Sequence, residues 1–477
     1  MSAKMDIYPV HLLDNAANFR NLFLSYVFTF NDVLDPEKLA SSLSDLLHIG
    51  DWRKLGGRFR FNKAKRLEIH VPHKFTDDVP AITFSKSVRE SDGIDSHRLG
   101  AWLRAPENHC TVEQSGDDLR GFTGVPSTPQ SMKEMMDRDA PLLSLHVTVF
   151  ADATVAALSW PHALMDAMGL QALLRNWSLV LNDRADEVEP LLGNHEDPLQ
   201  EVLARESGAA REDLVLEKHS LRPAGLIVLL FRMLCKSLWK ETFETRTIVL
   251  EPDVLDRFCR RARADVAAAF ISEGDVFTGW AAKMLAASQS TPRPVSVATI
   301  INLRFRLEEA LGEQKGQHVS NLLQFAHAIL PPSCAAAPAG VAALDYRRQV
   351  AEQSTRGQVL SYVAMQRRQV DAKGALKMLY CDPWGEVLTT NNLSRVGVFR
   401  AVDFAGAVVR RGGASAWGAT PRNPPGTVLY YHPLELTSSF RTSHLRFLGR
   451  EHGGRTLLTG SFPPRAWELM RKDLETL

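Results

Sequence analysis

Apolar and polar positions alternate between helical and strand periods along the whole chain without a repeat, which predicts a mixed α/β fold. Near the start, "LDPEKLASSLSDLLHIG" places Leu39, Leu43, Leu46 and Leu47 on one helical face, with Asp35 to cap the helix and Pro36 at its first position. "RFRF" and "RLEIHV", divided by the polar "NKAK", read as a hairpin. A second pair follows: "LLSLHVTVF" alternates at Leu143, Leu145, Val147 and Val149, then come "ADA" and "TVAALSW", a sheet with one face buried. "MGLQALLRNWSLVL" returns to helical spacing through Leu170, Leu173, Leu174, Trp177 and Leu181. The stretch "SWPHALMDAMG" therefore sits where strand gives way to helix.

Residues 183–222 are polar and charged and read as a connection crossing the surface between two halves. Strand and helix signals resume at "TRTIVLEP", "ISEGDVFTGWAAKMLAAS" and "VSVATIINLRFRL". "ILPPSCAAAPAG" reads as a loop leading to a helix from Val341. The C-terminal pieces "RVGVFRAVDF", "TVLYYHPLEL" and "HLRFLG" read as short strands completing a sheet late in the chain. The expected division is an N-terminal domain over 1–205, a crossover over 206–240 and a C-terminal domain over 241–477. Within the crossover, Leu226 to Trp239 is apolar but broken by Arg232 and Lys236. A buried helix between the halves and a helix lying on a membrane surface both fit it.

Composition narrows the class. A chain of 477 residues, 45% hydrophobic, exceeds what one core supports, so two domains are expected. Lys and Arg number 56 against 55 acidic residues, which removes the basic footprint of a nucleic-acid binder. Five cysteines, Cys110, Cys235, Cys259, Cys334 and Cys381, show no C-x-x-C spacing and read as reduced packing thiols of an intracellular protein. The N-terminal "MSAKMDIYPVHLLDN" lacks a signal-peptide core, and no window reaches the ~18 apolar residues of a membrane span. A soluble, cytoplasmic monomer is expected.

The chemistry centres on His162 and Asp166. Imidazole, with an ordinary pKa of about 6.5, takes a proton near neutral pH and returns it in the next step. The same pair also fits a satisfied loop histidine beside an aspartate favoured at a helix start. No G-x-S-x-G elbow, phosphate loop, dinucleotide fingerprint or H-E-x-x-H helix occurs. Nothing near the pair supplies a third ligand for a catalytic metal, so no metal is expected.

"HALMDAMG" resembles the H-x-x-x-D-G motif of the BAHD acyl-CoA-dependent acyltransferases. Three further segments follow in the family's order: "SEGDVFTGWAAKMLA", the arginine-containing "INLRFRLEEALGEQKGQHVSNLL" with Ser320-Asn321 for the family's Gly-Asn, and "DFAGA" at Asp403 to Ala407 for D-F-G-W-G. "LLDNAANFRN" and "WRKLGGRFRF" look most like the fungal branch. The resemblance implies a two-domain fold like chloramphenicol acetyltransferase, with a channel between the halves admitting acyl-CoA from one face and the acceptor from the other. It implies His162 as general base toward an acceptor hydroxyl, no covalent enzyme intermediate, no bound cofactor, and acyl-CoA, with acetyl-CoA foremost, as co-substrate. Asp166 is then a structural residue paired with Arg304, and Asp403 and Phe404 belong to a loop on the CoA side.

The sequence departs from the family at Ala167, where glycine is usual, and at Ala405, Gly406 and Ala407. Plant members carry a tryptophan near the oxyanion, where this chain has Leu393 and Ser394. Asn391 and Asn392 beside them are the candidate oxyanion donors; a polar turn whose asparagines satisfy local backbone is the other reading. Two alternatives to acyl-CoA transfer to a small secondary-metabolite alcohol are transfer from a carrier-protein phosphopantetheine and a non-catalytic member that binds a metabolite or protein.

Overall fold

The computed structural model describes residues 5–89, 91–97, 110–114, 117–206, 212–238, 242–267, 269–311, 315–377, 380–412, 423–437 and 442–477. Trp239, the side chain of Cys110 and the 312–314 piece of the arginine-containing segment lie outside the described residues. Two large sheets dominate. The first has five strands in the order Tyr430–Glu435, Phe23–Phe30, Thr154–Pro161, Ser144–Phe150 and Thr83–Arg89. The second has seven, in the order Leu323–Leu330, Val295–Asn302, Glu386–Asn392, Ser443–Arg450, Thr456–Phe462, Glu244–Leu250 and Cys110–Gln114.

Each half lends a strand to the other. Tyr430–Glu435 pairs antiparallel with Phe23–Phe30, and Cys110–Gln114 pairs antiparallel with Glu244–Leu250. The core of the first half accordingly includes Val398, Phe399, Phe404, Tyr430 and Tyr431 from the far end of the chain. Division at 205 and 241 follows chain order, and these two segments cross it.

The hairpin forms from Arg58–Phe61 and Leu67–Pro72. The Asp35 carboxylate accepts the N–H groups of Glu37 and Lys38 and so starts the helix Pro36–Leu46. Ser144–Phe150 and Thr154–Pro161 are buried at every position, so both faces of this central pair are covered rather than one. Their polar residues are held internally: Ser85 Oγ bonds His146 Nδ1 at 2.8 Å, and Ser159 Oγ donates to Ser25 Oγ at 2.9 Å.

Three further expectations are corrected. "RVGVFRAVDF" is a short helix, Val398–Ala401, and not a strand; Gly397, at φ +59°, turns the chain so that Val398 and Phe399 plug into the first core. "ILPPSCAAAPAG" contains the end of a strand and a 3-10 turn over Pro332–Ala335, and the next helix begins at Ala339. The helix Pro223–Leu238 is not buried between the halves: among its described side chains only Leu229 is fully covered, while Ile227 and Phe231 are 68% and 64% exposed. The polar connection also carries a helix, Pro198–Arg205, that buries Leu199, Val202 and Leu203 in a third apolar cluster.

Candidate active site

The strand Thr154–Pro161 ends at a proline, which has no N–H to continue the ladder. The next residue, His162, donates its N–H to Leu22 O at 2.8 Å, and Leu164 N closes a turn on Pro161 O at 2.8 Å. Trp160 Nε1 donates to Met165 O at 3.1 Å, tying the turn's far side to the strand. Asp166 then caps the helix Ala167–Leu181 by accepting Gly169 N at 2.9 Å. His162 is thus fixed between a strand end and a helix start. Its ring lies 5.1 Å from that of Phe19, and its Nδ1 is buried. Burial pulls the imidazole pKa below its ordinary value; the residue's own backbone carbonyl and the negative charges of Asp166 and Glu435 offset part of this.

Asp166 and Arg304 come together across the halves. Arg304 donates from Nη1 to Asp166 Oδ2 at 2.7 Å and from Nη2 to Oδ1 at 3.2 Å, and its Nη2 also serves His318 O and Ser320 O at 2.8 Å each. Leu322 N adds a bond to Asp166 Oδ2 at 3.2 Å. Ala167, where the family has glycine, opens the helix in ordinary right-handed geometry, so a methyl group is tolerated. The close approach falls at Gly169 instead, where a Cβ atom would stand 2.4 Å from Val319 O.

Behind His162 lies a network that sequence reasoning did not find. Asp14 Oδ1 accepts Asn321 N at 2.9 Å and Asn321 Nδ2 at 2.6 Å, and the same Nδ2 donates to the carbonyl of His162 at 2.8 Å. The signals were present as "LLDN" and Ser320-Asn321, but residues so far apart in sequence give no hint that they meet. Burial pushes the Asp14 carboxyl up, while its bonds to Asn321 and the nearby Lys54 pull it back.

A cavity of about 530 Å³ opens beside His162 and takes its wall from both halves, with Tyr26 and Phe19 from the first and Asn302, Thr389 and Asn391 from the second. Thr389 and Asn391 alternate with the buried Leu388 and Thr390 along their strand. Asn392 also borders the cavity, but its Oδ1 is engaged by Ser394 N at 3.0 Å and Ser394 Oγ at 2.6 Å. An ion pair between Arg446 and Glu435 lies in the same wall. Arg306 and Arg395 are exposed on the cavity's rim, and Arg395 lies 4.9 Å over the ring of Phe305.

Asp403 and Phe404 lie off the cavity wall. Asp403 N donates to Ser178 Oγ at 2.9 Å, its carbonyl accepts Asn182 Nδ2 at 2.8 Å, and its carboxylate accepts Ala405 N at 3.2 Å. Phe404 packs 4.5 Å from Trp177 and 5.6 Å from Phe30. The "DFAGA" segment therefore clasps the C-terminal end of the helix Ala167–Leu181.

The fold is shared with solved structures. The TRI101 structure from F. sporotrichioides, complexed with coenzyme A and T-2, superposes with a TM-score of 0.66 over 98% of this chain and 97% of that one, at 12% identity. Vinorine synthase gives 0.53 over 100% and 94%, at 13% identity. These likenesses establish the two-domain fold resembling chloramphenicol acetyltransferase. No family model matches the chain. Among curated proteins, the acetyltransferase adrJ of Penicillium roqueforti is 30% identical, covering 99% of this chain and 96% of its own length. The O-acetyltransferase PaAT-2 of Phomopsis amygdali is 29% identical over 99% and 98%. The chain belongs to the fungal branch of the BAHD acyl-CoA-dependent acyltransferases. It is an O-acyltransferase that moves an acyl group from acyl-CoA to a hydroxyl of a small molecule.

Proposed function

We propose that this enzyme transfers an acetyl group from acetyl-CoA to a hydroxyl of a small secondary-metabolite alcohol, with His162 as general base. The observation that carries this reading is His162 itself: an imidazole fixed at a strand-to-helix turn, kept neutral by burial, on the wall of a cavity that both halves build. With Nδ1 turned into the protein, Nε2 takes the acceptor's hydroxyl proton as the oxygen attacks the thioester carbonyl. The C–O bond forms, and the carbonyl becomes a tetrahedral oxyanion. Asn391, half-buried on the cavity wall where Asn392 is exposed at the strand's end, is the donor that fits this oxyanion. The intermediate collapses, the C–S bond breaks, and the CoA sulfur recovers the proton from His162. No group on the enzyme is acylated.

Asp166 and Arg304 do not touch the reacting atoms in this scheme; they hold the helix start and hence the turn that aims His162. Asp14 and Asn321 hold the same turn through its carbonyl. Arg306 and Arg395, with no carboxylate partner among the described residues, suit the CoA phosphates at the cavity's rim. The four described cysteines are unpaired, which suits a reducing cytoplasm. The test is acetyl-CoA with thiol detection over a panel of alcohols. Thiol release that depends on one alcohol and vanishes in His162→Ala supports the reading; alcohol-dependent release that persists in the variant refutes it.

A further inference from the structure

The helix Pro223–Leu238 presents Ile227, Leu230, Phe231 and Leu234 to solvent, 68%, 53%, 64% and 56% exposed, on one continuous face. Its other side is clamped to the fold. Arg232 Nη1 donates to Pro383 O at 3.0 Å and Gly385 O at 2.8 Å, and Arg232 and Lys236 both reach the buried carboxylate of Glu386, at 3.0 and 2.5 Å. The residue between the two carbonyls, Trp384, is 60% exposed. With its polar side so engaged, the helix cannot turn its apolar side inward without breaking a buried ion pair.

The helix itself carries charge of one sign. No Asp or Glu occurs between Arg222 and Leu238. Arg222 at the helix start and Arg293 beside the Trp384 loop are exposed and have no carboxylate partner among the described residues. Asp382, in the Trp384 loop, is turned to accept Trp384 N at 2.8 Å. An apolar helix face with an indole at its edge and arginines at its margins is the composition of a segment that rests in a lipid headgroup layer. A second protein fits less well. One helix face and one indole present on the order of 600 Å², the upper end of what a monomer exposes, against ~800 Å² per partner in a standard interface. Two copies meeting here would also set arginine against arginine.

We propose that this face docks the enzyme reversibly on an anionic membrane surface. No helix among the described residues is long and apolar enough to cross a membrane, so the contact is peripheral. The patch lies where the strands Val295–Asn302 and Glu386–Asn392 begin, and the cavity lies where they end at Asn302 and Asn391. About 20 Å of strand separates them, so docking leaves the cavity clear of the lipid.

The test is flotation of the full chain with vesicles of phosphatidylcholine alone and of phosphatidylcholine with about a third phosphatidylserine. Wild type is expected to float with the anionic vesicles and to be released by salt. Phe231→Glu is expected to bind roughly tenfold more weakly or worse, with an unchanged melting temperature. Trp384→Phe is expected to lose a blue shift of indole emission that wild type shows on adding anionic vesicles. Absence of flotation, or equal flotation with both vesicle types, overturns the proposal. So does a wild-type dimer, read by light scattering, that Phe231→Glu converts to monomer, because the occupant is then a second copy of the chain.

Discussion

An imidazole with one nitrogen sealed inside the protein has a single working face, and this makes His162 a demanding residue to replace. His162→Ala is expected to lower kcat by about 10²- to 10⁴-fold, the usual size of a general-base contribution, with the melting temperature little changed. The pH dependence has a definite sign. As the proposed base, His162 works unprotonated, and burial lowers its pKa; activity should hold through pH 6.5 and fall only as pH drops through the lowered value. A kcat/KM profile with its acid limb at or above 6.5 contradicts this. Asn391→Ala should lower kcat by about 10²- to 10³-fold with KM nearly unchanged, whereas Asn392→Ala, exposed at the strand's end, should cost far less. Single-turnover rates of both variants check the ordering. His162, Asp166 and Arg304 were legible in sequence because two lie in one short motif and the third in a segment of fixed order. Asp14 was not, since its role depends on a contact with Asn321 that only the folded chain creates.

Elements joined by a few close approaches make the next set of expectations. Asp166 and Arg304 are mostly buried, so removing either strands the other's charge, at about 3 to 5 kcal/mol. Asp166→Ala and Arg304→Ala should each lower the melting temperature, and the double variant should lose less than the sum; strict additivity in the cycle would place the two charges apart. Gly406→Ala is the complementary case, because a Cβ there would stand 2.5 Å from Leu181 O and the clasp on the helix Ala167–Leu181 would have to open. A drop in thermal stability, read by calorimetry, is expected even though Gly406 lies off the cavity wall. Sequence reading succeeded where one period ran unbroken, as in the helix Pro36–Leu46, and in Ser144–Phe150 it found the strand though not that both faces are covered. It failed at Val398–Ala401, too short to show a period, and at Pro223–Leu238. There apolarity was read correctly and its direction was not, because burial depends on what the rest of the chain brings alongside.

Across the whole molecule, the rim of the cavity gathers cations from two distant segments. Arg306→Ala and Arg395→Ala should each raise KM for the CoA donor roughly tenfold or more, the worth of a charge-assisted hydrogen bond, and flatten its dependence on ionic strength, with kcat nearly unchanged. Steady-state donor titrations at low and high salt check this. The same joining of distant segments governs how the protein comes into being. The first sheet lacks its edge strand until residues 430–435 have been made, although its partner Phe23–Phe30 emerges early. At ordinary synthesis rates that gap is on the order of tens of seconds, during which a strand edge stands open on the ribosome. A gene cut between the halves would therefore yield two fragments that each lack a strand, and nascent chains should engage chaperones until the ribosome has nearly finished.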